Sequence, residues 1–598
     1  SADTIDSGYC GGEGNGTNLT WTLDSDGVLT ISGNGEMRET QAAMPWYRRK
    51  STIETVVIEN GVTSIGQNAF DGCWNCTSVS IPDGVKKIGI NAFRSCWKLA
   101  SITIPNSVTS IEIGAFGDCR TLTTVYIPSS VTSITGSPFD YCYSLVSIVV
   151  DEENLKYDSR NSCNAIIDTE ANILVSGCQS TIIPDDIVGI GERAFLGCSS
   201  LKKIDIPNSV LSIGQLAFTN CVGLTNVVIP NGIETIGSQA FEGCTSLTHV
   251  IIPNSVKNIG DYVFDHCTNL SSVSIPNSVT SIVCGMFKDC SSLAHITIPS
   301  GVTNIGDYAF TGCSALADIT IPDGVTNIGG VAFSGCTSLV SVRIPDSISS
   351  IEACTFMNCD NLLNVMIPSS VTSIESGAFR FCKSLKSIKI PDSVEKIESE
   401  AFRCRNMESA YFCGNAPTIK DKVFISNCPL TIYYVPGTTG WTDSTAYDAA
   451  AGTWNGYPLK TWDGKTIPEE TKISVPTGKY CIRAIDESGN PVSDATVWWN
   501  GSRAVTDENG DAVVDLTTVG EPVIRVVKSG YIEWTNKNSN WKKSDTRFER
   551  VILYPESYGK LKLKYAKISD KFDTNLVIQT KVLNLRNDGA LIGDLNSG

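Results

Sequence analysis

A single spacing limits what this chain can become. Phenylalanine recurs at Phe70, Phe93, Phe116 and Phe139, then at Phe195, Phe218, Phe241, Phe264, Phe287, Phe310, Phe333, Phe356, Phe379 and Phe402. Every interval is 23 residues except Phe139 to Phe195, which exceeds one repeat by 33. The surrounding unit keeps step: from Asn106 to Pro128 it carries Val108, Ile111, Ala115-Phe116, Cys119, Leu122, Val125, Ile127 and Pro128. A fixed period of about 20–50 residues marks a solenoid, in which each coil buries its apolar side only against its neighbours. The usual step from 598 residues to several globular domains therefore fails for this stretch.

The phases of the unit have different jobs. Counted from the Phe, the positions predicted to face inward are +3 (Cys), +6 (Leu), +9 (Val or Ile), +11 (Ile), the V-x-x-I pair and the Ala before the next Phe. The L-x-x-V-x-I-P stretch is short, β-branched and alternating, which predicts the strand of a parallel sheet. The Pro ends that strand because it cannot donate to a ladder. V-x-x-I-G predicts a second short strand, and Ala-Phe-x-x-Cys predicts a tight 3₁₀-like or helical turn.

Thirteen of the 23 cysteines stand at +3: Cys73, Cys96, Cys119, Cys142, Cys198, Cys221, Cys244, Cys267, Cys290, Cys313, Cys336, Cys359 and Cys382. An odd cysteine total in a secreted chain invites a disulfide reading. One cysteine per coil at one phase predicts an internal column instead. Coils stacked about 4.8 Å apart bring the backbones within nominal disulfide reach. Side chains stacked in one direction do not readily meet the dihedral of about 90° that the bond requires. Cys76 and Cys178 take the Leu phase, which fits cysteine used as a small hydrophobe. The expectation is a ladder of buried thiols, with disulfides as the alternative. Cys73 and Cys76 form C-x-x-C without a second pair or a nearby His, so no metal site is expected.

The rest of the chain divides around the repeat. Residues 1–50 lack it; Asn18 to Leu23 and Val28 to Ser32, turned at Asp26-Gly27, predict a β-hairpin that caps the first coil with Trp21 and Pro45-Trp46. The solenoid spans 51–435. Its excess at 151–183 predicts an inserted hairpin, which either binds a ligand or is a variant coil. Residues 436–465, with Trp441, Trp454 and Trp462, predict a C-terminal cap, and 466–477, with Pro468 and Pro476, a linker. Regular short strands over 478–555, with turns at Asp486 to Asn490 and Asp507 to Gly510, predict a β-sandwich. Residues 556–598 read as a partial further β module or a tail pairing with the sandwich, and the natural chain is expected to continue past Gly598.

Composition narrows function by exclusion. With 46 Lys and Arg against 63 Asp and Glu, the net charge of −17 argues against nucleic acid as a main partner. No apolar run approaches the roughly 18–20 residues that span a bilayer. Ser1 opens no visible signal peptide, so the chain reads as mature or trimmed. Few charges and abundant Ser, Thr, Asn and Gly suggest a secreted or surface location. The only histidines are His249, His266 and His295; the first and last share a phase two coils, or about 10 Å, apart, too far for joint ligation. No G-x-S-x-G, H-E-x-x-H or phosphate loop occurs. No enzymatic activity, cofactor or metal is expected, and the chain is expected to be a monomer.

The repeat, as in Ile321-Pro-Asp-Gly-Val-Thr-Asn-Ile-Gly-Gly-Val-Ala-Phe-Ser-Gly-Cys-Thr-Ser-Leu339, resembles the leucine-rich repeats of BspA-like bacterial surface proteins. Trp21-Thr-Leu, Leu29-Thr-Ile-Ser-Gly and Pro45-Trp46 resemble the cap of such proteins in gut bacteria. The resemblance implies a mostly β leucine-rich-repeat solenoid on a surface adhesin that binds host matrix proteins or other bacteria. The 478–555 pattern of Asp-x-x-Gly turns and Gly530-Tyr531 resembles carboxypeptidase-regulatory-like or Cna-B-type β-sandwich modules.

Candidate ligand-binding positions come from the outward columns. At +4 four consecutive coils place Trp74, Trp97, Arg120 and Tyr143, where later coils place mostly small residues. This ridge is either a platform for sugar or protein or packing against the cap. The outward strand column at +10 is hydroxyl-rich but contains Tyr126, Val149, Val228 and Ile251. Such a face suits a protein or glycan held by hydrogen bonds and modest burial. Three functions fit: an adhesin-like protein binder, a glycan-binding targeting module of a larger extracellular enzyme, or a structural stalk.

Overall fold

The computed structural model describes residues 2–39, 44–425 and 429–464, and beyond them 479–485, 493–499, 502–507, 511–515, 524–527, 534–535, 548–552, 561–567, 579–585 and 591–594. The expected linker at 466–477 and the turns at 486–490 and 508–510 lie outside the described residues. The chain is mostly β: among the described residues its only helices are the short 3₁₀ segments Tyr47–Arg49 and Arg160–Ser162. It forms two compact units, residues 1–315 with 327–335 and residues 316–326 with 336–598.

In the first unit the cap is more than the expected hairpin. Leu19–Asp24 pairs antiparallel with Val28–Gly33 on one side and with Thr4–Tyr9 on the other. Val28–Gly33 then pairs parallel with Thr55–Ile58, so the cap sheet runs directly into the first coil. The turn closes because Asp24 Oδ1 accepts from the amides of Asp26 and Val28, at 3.0 and 2.9 Å, and Gly27 takes a φ of 76°. Trp46 stacks on Phe70 at 5.6 Å, Trp21 meets Trp46 edge-on at 5.7 Å, and the indole N–H of Trp46 donates to the Ala69 carbonyl at 2.8 Å. The phenylalanine stack thus begins on a tryptophan one residue out of register.

Within the coils both expected strands form. The V-x-I strand pairs parallel between coils, as in Thr124–Ile127 with Ser147–Val150 and Lys203–Asp205 with Asn226–Val228. The x-I dipeptides form longer ladders, such as Gly189–Ile190, Ser212–Ile213, Thr235–Ile236 and Asn258–Ile259. The Ala-Phe-x-x-Cys corner departs from the 3₁₀-like expectation. Its amides alternate between two kinds of partner: Ala69, Asp71 and Cys73 donate to the carbonyl three residues back, while Asn68, Phe70 and Gly72 donate to Ile90, Ala92 and Arg94 of the next coil. The cause is a left-handed residue on each side of the Phe, Asn68 at φ 55° and Gly72 at φ 77°, repeated at Asn91 and Ser95. Each coil is therefore bonded to the next at the corner as well as along its strands.

The inward phases are filled as expected. Phe93 and Phe116 stack at 5.5 Å and 3°, and Phe218 and Phe241 at 5.3 Å and 3°. The cysteines whose side chains are described, Cys10 to Cys413, are free thiols. The column has a bonding pattern of its own: where a register Phe stands 26 residues earlier, in the preceding coil, the thiol donates to its carbonyl, as from Cys96, Cys119, Cys221 and Cys313. Cys142 reaches Phe116 O at 3.1 Å, Cys244 reaches Phe218 O at 3.2 Å and Cys290 reaches Phe264 O at 3.2 Å.

The insertion is an antiparallel hairpin, Ala165–Asp168 with Ile173–Gly177, flanked by Tyr157–Asp158. Ile173-Leu174 pairs parallel with Gly189-Ile190, so the hairpin takes the place of one coil in the x-I ladder. Polar side chains fix it. Asn154 Nδ2 donates to Pro128 O and Val131 O at 2.9 and 3.0 Å, and Arg160 holds Asp158, Asn172 and Asp186.

In the second unit the same coil pattern continues, with Ser350–Ile351, Ser373–Ile374, Lys396–Ile397 and Thr418–Ile419 in one parallel ladder. Phe424, one residue early, still stacks on Phe402 at 5.8 Å. Trp441 closes the coils, packed on Phe412 at 5.0 Å and Trp454 at 4.9 Å, with its N–H on Gly414 O. Past 478 the described strands form two sheets. One orders Asp511–Asp515, Lys479–Ile485, Phe548–Ile552, Leu561–Lys567, Gln579–Leu585 and Leu591–Asp594; the other orders Ser502–Val505, Thr496–Trp499, Ile524–Val527 and Trp534–Thr535.

Candidate functional site

Two outward features of the first unit emerge from this framework. The ridge at +4 is one continuous stack. Trp74 and Trp97 lie face to face at 5.9 Å and 28°. The Arg120 guanidinium covers the other face of this pair, 4.2 Å from the Trp97 ring, and reaches toward Tyr143 at 5.9 Å. Lys50, from the segment before the first coil, lies 5.3 Å from the Trp74 ring and 4.1 Å from that of Tyr47. Asp118 ties the stack down, accepting from Trp97 Nε1 at 2.8 Å, Ser95 Oγ at 3.0 Å and Arg120 Nε at 2.8 Å. That bond to Asp118 pushes the Arg120 pKa up from its ordinary value, and burial pushes up the Tyr143 phenol.

This geometry narrows what the ridge can do. A sugar stacks on a free aromatic face, and here the tryptophan faces are taken by each other, by Lys50 and by Arg120. What the ridge offers solvent is ring edge and the polar rim of Arg120. Lys50, Tyr47 and Asp118 were not singled out from the sequence. The pairing Asp118-Cys119-Arg120, with an anion two residues before the cation, was the available signal.

The second feature is the strand wall. Tyr126, Val149, Val228 and Ile251 all point outward from their strands and are exposed, Ile251 at 66%. Tyr126 and Val149 are direct cross-strand partners. The Tyr126 hydroxyl donates to Asp151, a bond that raises the phenol pKa and lowers that of the carboxylate. The structure adds Ile182, 73% exposed, which precedes Ile183-Pro184 and so occupies the same +10 phase. Counting repeats directly from Val149 to Asp205 passed over it, because the insertion hides that coil's register. Trp74, Trp97, Arg120 and Tyr143 belong to the corner, whereas Tyr126, Val228 and Ile251 belong to the strands.

Other clusters have local explanations. Asp265, His266 and Asp289 bring ligand-type atoms within 4.8 Å of one another. Lys288 Nζ stands 3.3 Å from Asp265 and 3.2 Å from Asp289, so an ammonium already fills the place of a cation. A cleft of about 620 Å³ beside the insertion is lined by Ser129, Ser130, Thr132, Glu153, Leu155 and Lys156. Lys156 there is engaged by Asp168 and Glu170, both at 3.1 Å. No described helix is long and apolar enough to cross a membrane.

Coils of 23 residues, each adding a short parallel strand and a stacked phenylalanine, define a leucine-rich-repeat solenoid. The BspA type leucine rich repeat region matches in six copies over residues 46–166, 175–282, 211–340 and 326–449, and the chain belongs to that family. Similar solved structures include a leucine-rich repeat protein from Eubacterium ventriosum, at 25% identity over 64% of this chain and 96% of that one, TM-score 0.45. Another from Bacteroides ovatus shares 25% over 68% and 98%, TM-score 0.37. A leucine rich cell surface protein from Faecalibacterium prausnitzii shares 28% over 60% and 95%, TM-score 0.36. No curated protein matches the chain.

Proposed function

We propose that this chain is a surface-exposed, non-enzymatic protein binder of the adhesin kind, and that its ligand sits on the strand wall between Tyr126 and Ile251. The observation that carries the reading is the set of exposed apolar side chains at one outward phase, Tyr126, Val149, Ile182, Val228 and Ile251, in a column otherwise rich in hydroxyls. Apolar groups rimmed by Ser, Thr and Asn match the anatomy of a protein interface. A glycan module would be supported by free ring faces, and the ridge at Trp74–Tyr143 has its faces engaged. Family membership supports a protein-binding role, and a β-sandwich at 478–555 is supported by the two separate sheets there.

The test is binding of the intact chain to immobilised matrix proteins alongside a glycan array. Ile182→Asp, Val228→Asp and Ile251→Asp together are expected to reduce protein capture at least tenfold with the thermal midpoint unchanged. Glycan-only capture, or protein capture indifferent to the triple variant, would overturn the proposal.

A further inference from the structure

The outward strand column is not equally open along its length. At the +10 phase Val228, Ile251, Ser274, Thr297 and Thr320 are exposed, whereas Arg343, Met366 and Lys389 are half-buried, and Tyr411, in the coil that runs one residue short, is buried. Segments beyond the coils supply part of that cover, all within the second unit. The Trp462 ring meets Tyr411 edge-on at 5.2 Å and lies 5.9 Å from the Lys389 ammonium. Arg343 is met by Asp494 of the β module, whose Oδ2 stands 3.0 Å from the guanidinium Nε.

Both partners of that ion pair are set by their backbones. Arg343 ends the strand Ser341–Arg343, which pairs parallel with Asn364–Met366. Asp494 heads the hairpin of Thr496–Trp499 and Ser502–Val505. Its amide donates to Thr506 O at 2.8 Å, the Thr506 amide donates to Ala495 O at 2.9 Å, and the Ala495 amide donates to Thr506 Oγ1 at 2.8 Å. Two further carboxylates share the guanidinium, Asp323 on Nη1 and Asp346 at 3.4 Å from Nη2. Their side chains are 82% and 79% exposed against 16% for Asp494, so Arg343 meets the wall's own acids at its open side and the module's acid at its covered side.

We propose that the β module past 478 is latched onto the strand wall at Arg343, and that the latch closes the stretch of wall around Arg343 to other ligands. Without the guanidinium, Asp323 and Asp346 would repel Asp494, since all three lie well inside a screening length of about 8 Å. The latch is therefore electrostatic: a half-covered ion pair weakened by salt, not an apolar seal. A weak latch can be displaced, and a partner that brings its own carboxylate to Arg343 competes for the same guanidinium. This device belongs to the second unit and does not depend on a ligand at Val228 and Ile251.

The experiment uses the full chain carrying Arg343→Lys, which keeps the charge and supplies an amine. A carbodiimide joins an amine and a carboxylate in contact as an amide, and digestion with mass spectrometry maps the link. A 343–494 link within the monomer is expected, beside links from 343 to 323 and 346. In Arg343→Asp, small-angle scattering should give a larger radius of gyration than in the wild type, and Arg343→Asp/Asp494→Arg should restore it. About 1 M salt, where the screening length is about 3 Å, should expand the wild-type chain in the same way. Links confined to Asp323 and Asp346, a 343–494 link found only between two molecules, or a radius indifferent to both Arg343→Asp and salt overturns the proposal. If Arg343→Asp fails to fold, the link map of Arg343→Lys and the wild-type salt series decide.

Discussion

Replacing one cysteine of the column tests why the column is cysteine at all. Cys244 is fully buried and its thiol donates to Phe218 O at 3.2 Å. Cys244→Ala deletes a group the size of a methylene, at about 0.8 kcal/mol of transfer energy. It also leaves a hole of about 20 Å³, at about 24 cal/mol per Å³. The thiol–carbonyl bond contributes half of an ordinary one, roughly 0.5 kcal/mol. The whole loss is about 2 kcal/mol. Phe218 O keeps the amide of Cys221 at 3.1 Å, so no carbonyl is orphaned. Serine is the informative change. Its hydroxyl sits on a bond about 0.4 Å shorter, too short to reach the roughly 2.7–2.8 Å that an O–H···O bond prefers without moving the backbone. A buried hydroxyl left short of its partner costs about 1–3 kcal/mol. The expected order of stability is therefore Cys above Ala above Ser. Repeat arrays lose two-state cooperativity, so the readout is hydrogen exchange of the amides around Asn226–Val228 and His249–Ile251, backed by urea midpoints. Serine as stable as cysteine would refute the argument from reach, and alanine as stable as cysteine would refute the argument from packing.

Other perturbations follow from the same geometry. Burial pushes the thiols of Cys244 and Cys359 up from 9.0 to about 12 and that of Cys163 to about 11. The unfolded chain ionises first, so their contribution is complete below about pH 9 and is lost as pH rises toward 12, at up to about 1.4 kcal/mol per thiol per pH unit; steep alkaline unfolding in a pH-jump series is expected. Burial likewise raises Asp140 to about 7, only partly offset by Arg193 at 3.5 Å. A raised carboxylate stabilises the fold below about pH 4 and loses that contribution by pH 7, so Asp140→Asn should raise the melting temperature at pH 8 and leave it unchanged at pH 4. Val331 holds a φ of 61°, a phase where other coils use Gly285 or Gly377, and Val331→Gly should raise stability by about 1 kcal/mol in urea titration. Asp118→Ala unties Trp97 and Arg120. It should cost about 1–2 kcal/mol and leave ligand capture on the strand wall intact.

The repeat made most of the fold legible because its signal is redundant. Fourteen phenylalanines and thirteen cysteines each report the same register independently. What escaped was set by backbone and by contacts between coils. The left-handed residues flanking each Phe are Asn68 and Gly72 in one coil, but Tyr262 and His266 in another and Val331 and Gly335 in a third. No residue type is obligatory there, because the coil-to-coil bonds of the corner hold the conformation whatever the side chain. The 26-residue reach from thiol to carbonyl is one repeat plus three, so it hides inside the period. Ile182 was hidden by the insertion, and Lys50 by lying before the first coil.

The aromatic ridge shows how a correct register still leaves function open. The sequence placed Trp74, Trp97, Arg120 and Tyr143 on one line, and that alignment suits a platform and a brace equally. Only the ring planes separate the two. Rings stacked along the axis spend their faces on one another, with Lys50 at one end and Arg120 at the other. Rings splayed outward would have left those faces to a ligand. The stack instead links the segment before the first coil to four successive coils, which is a brace's geometry, and it moves the search for a ligand to the strand wall. There Ile182, Val228 and Ile251 stand exposed at one outward phase. A ligand seated as proposed would cover all three side chains at once. The same periodicity that fixes the interior thus sets those side chains at regular intervals facing outward.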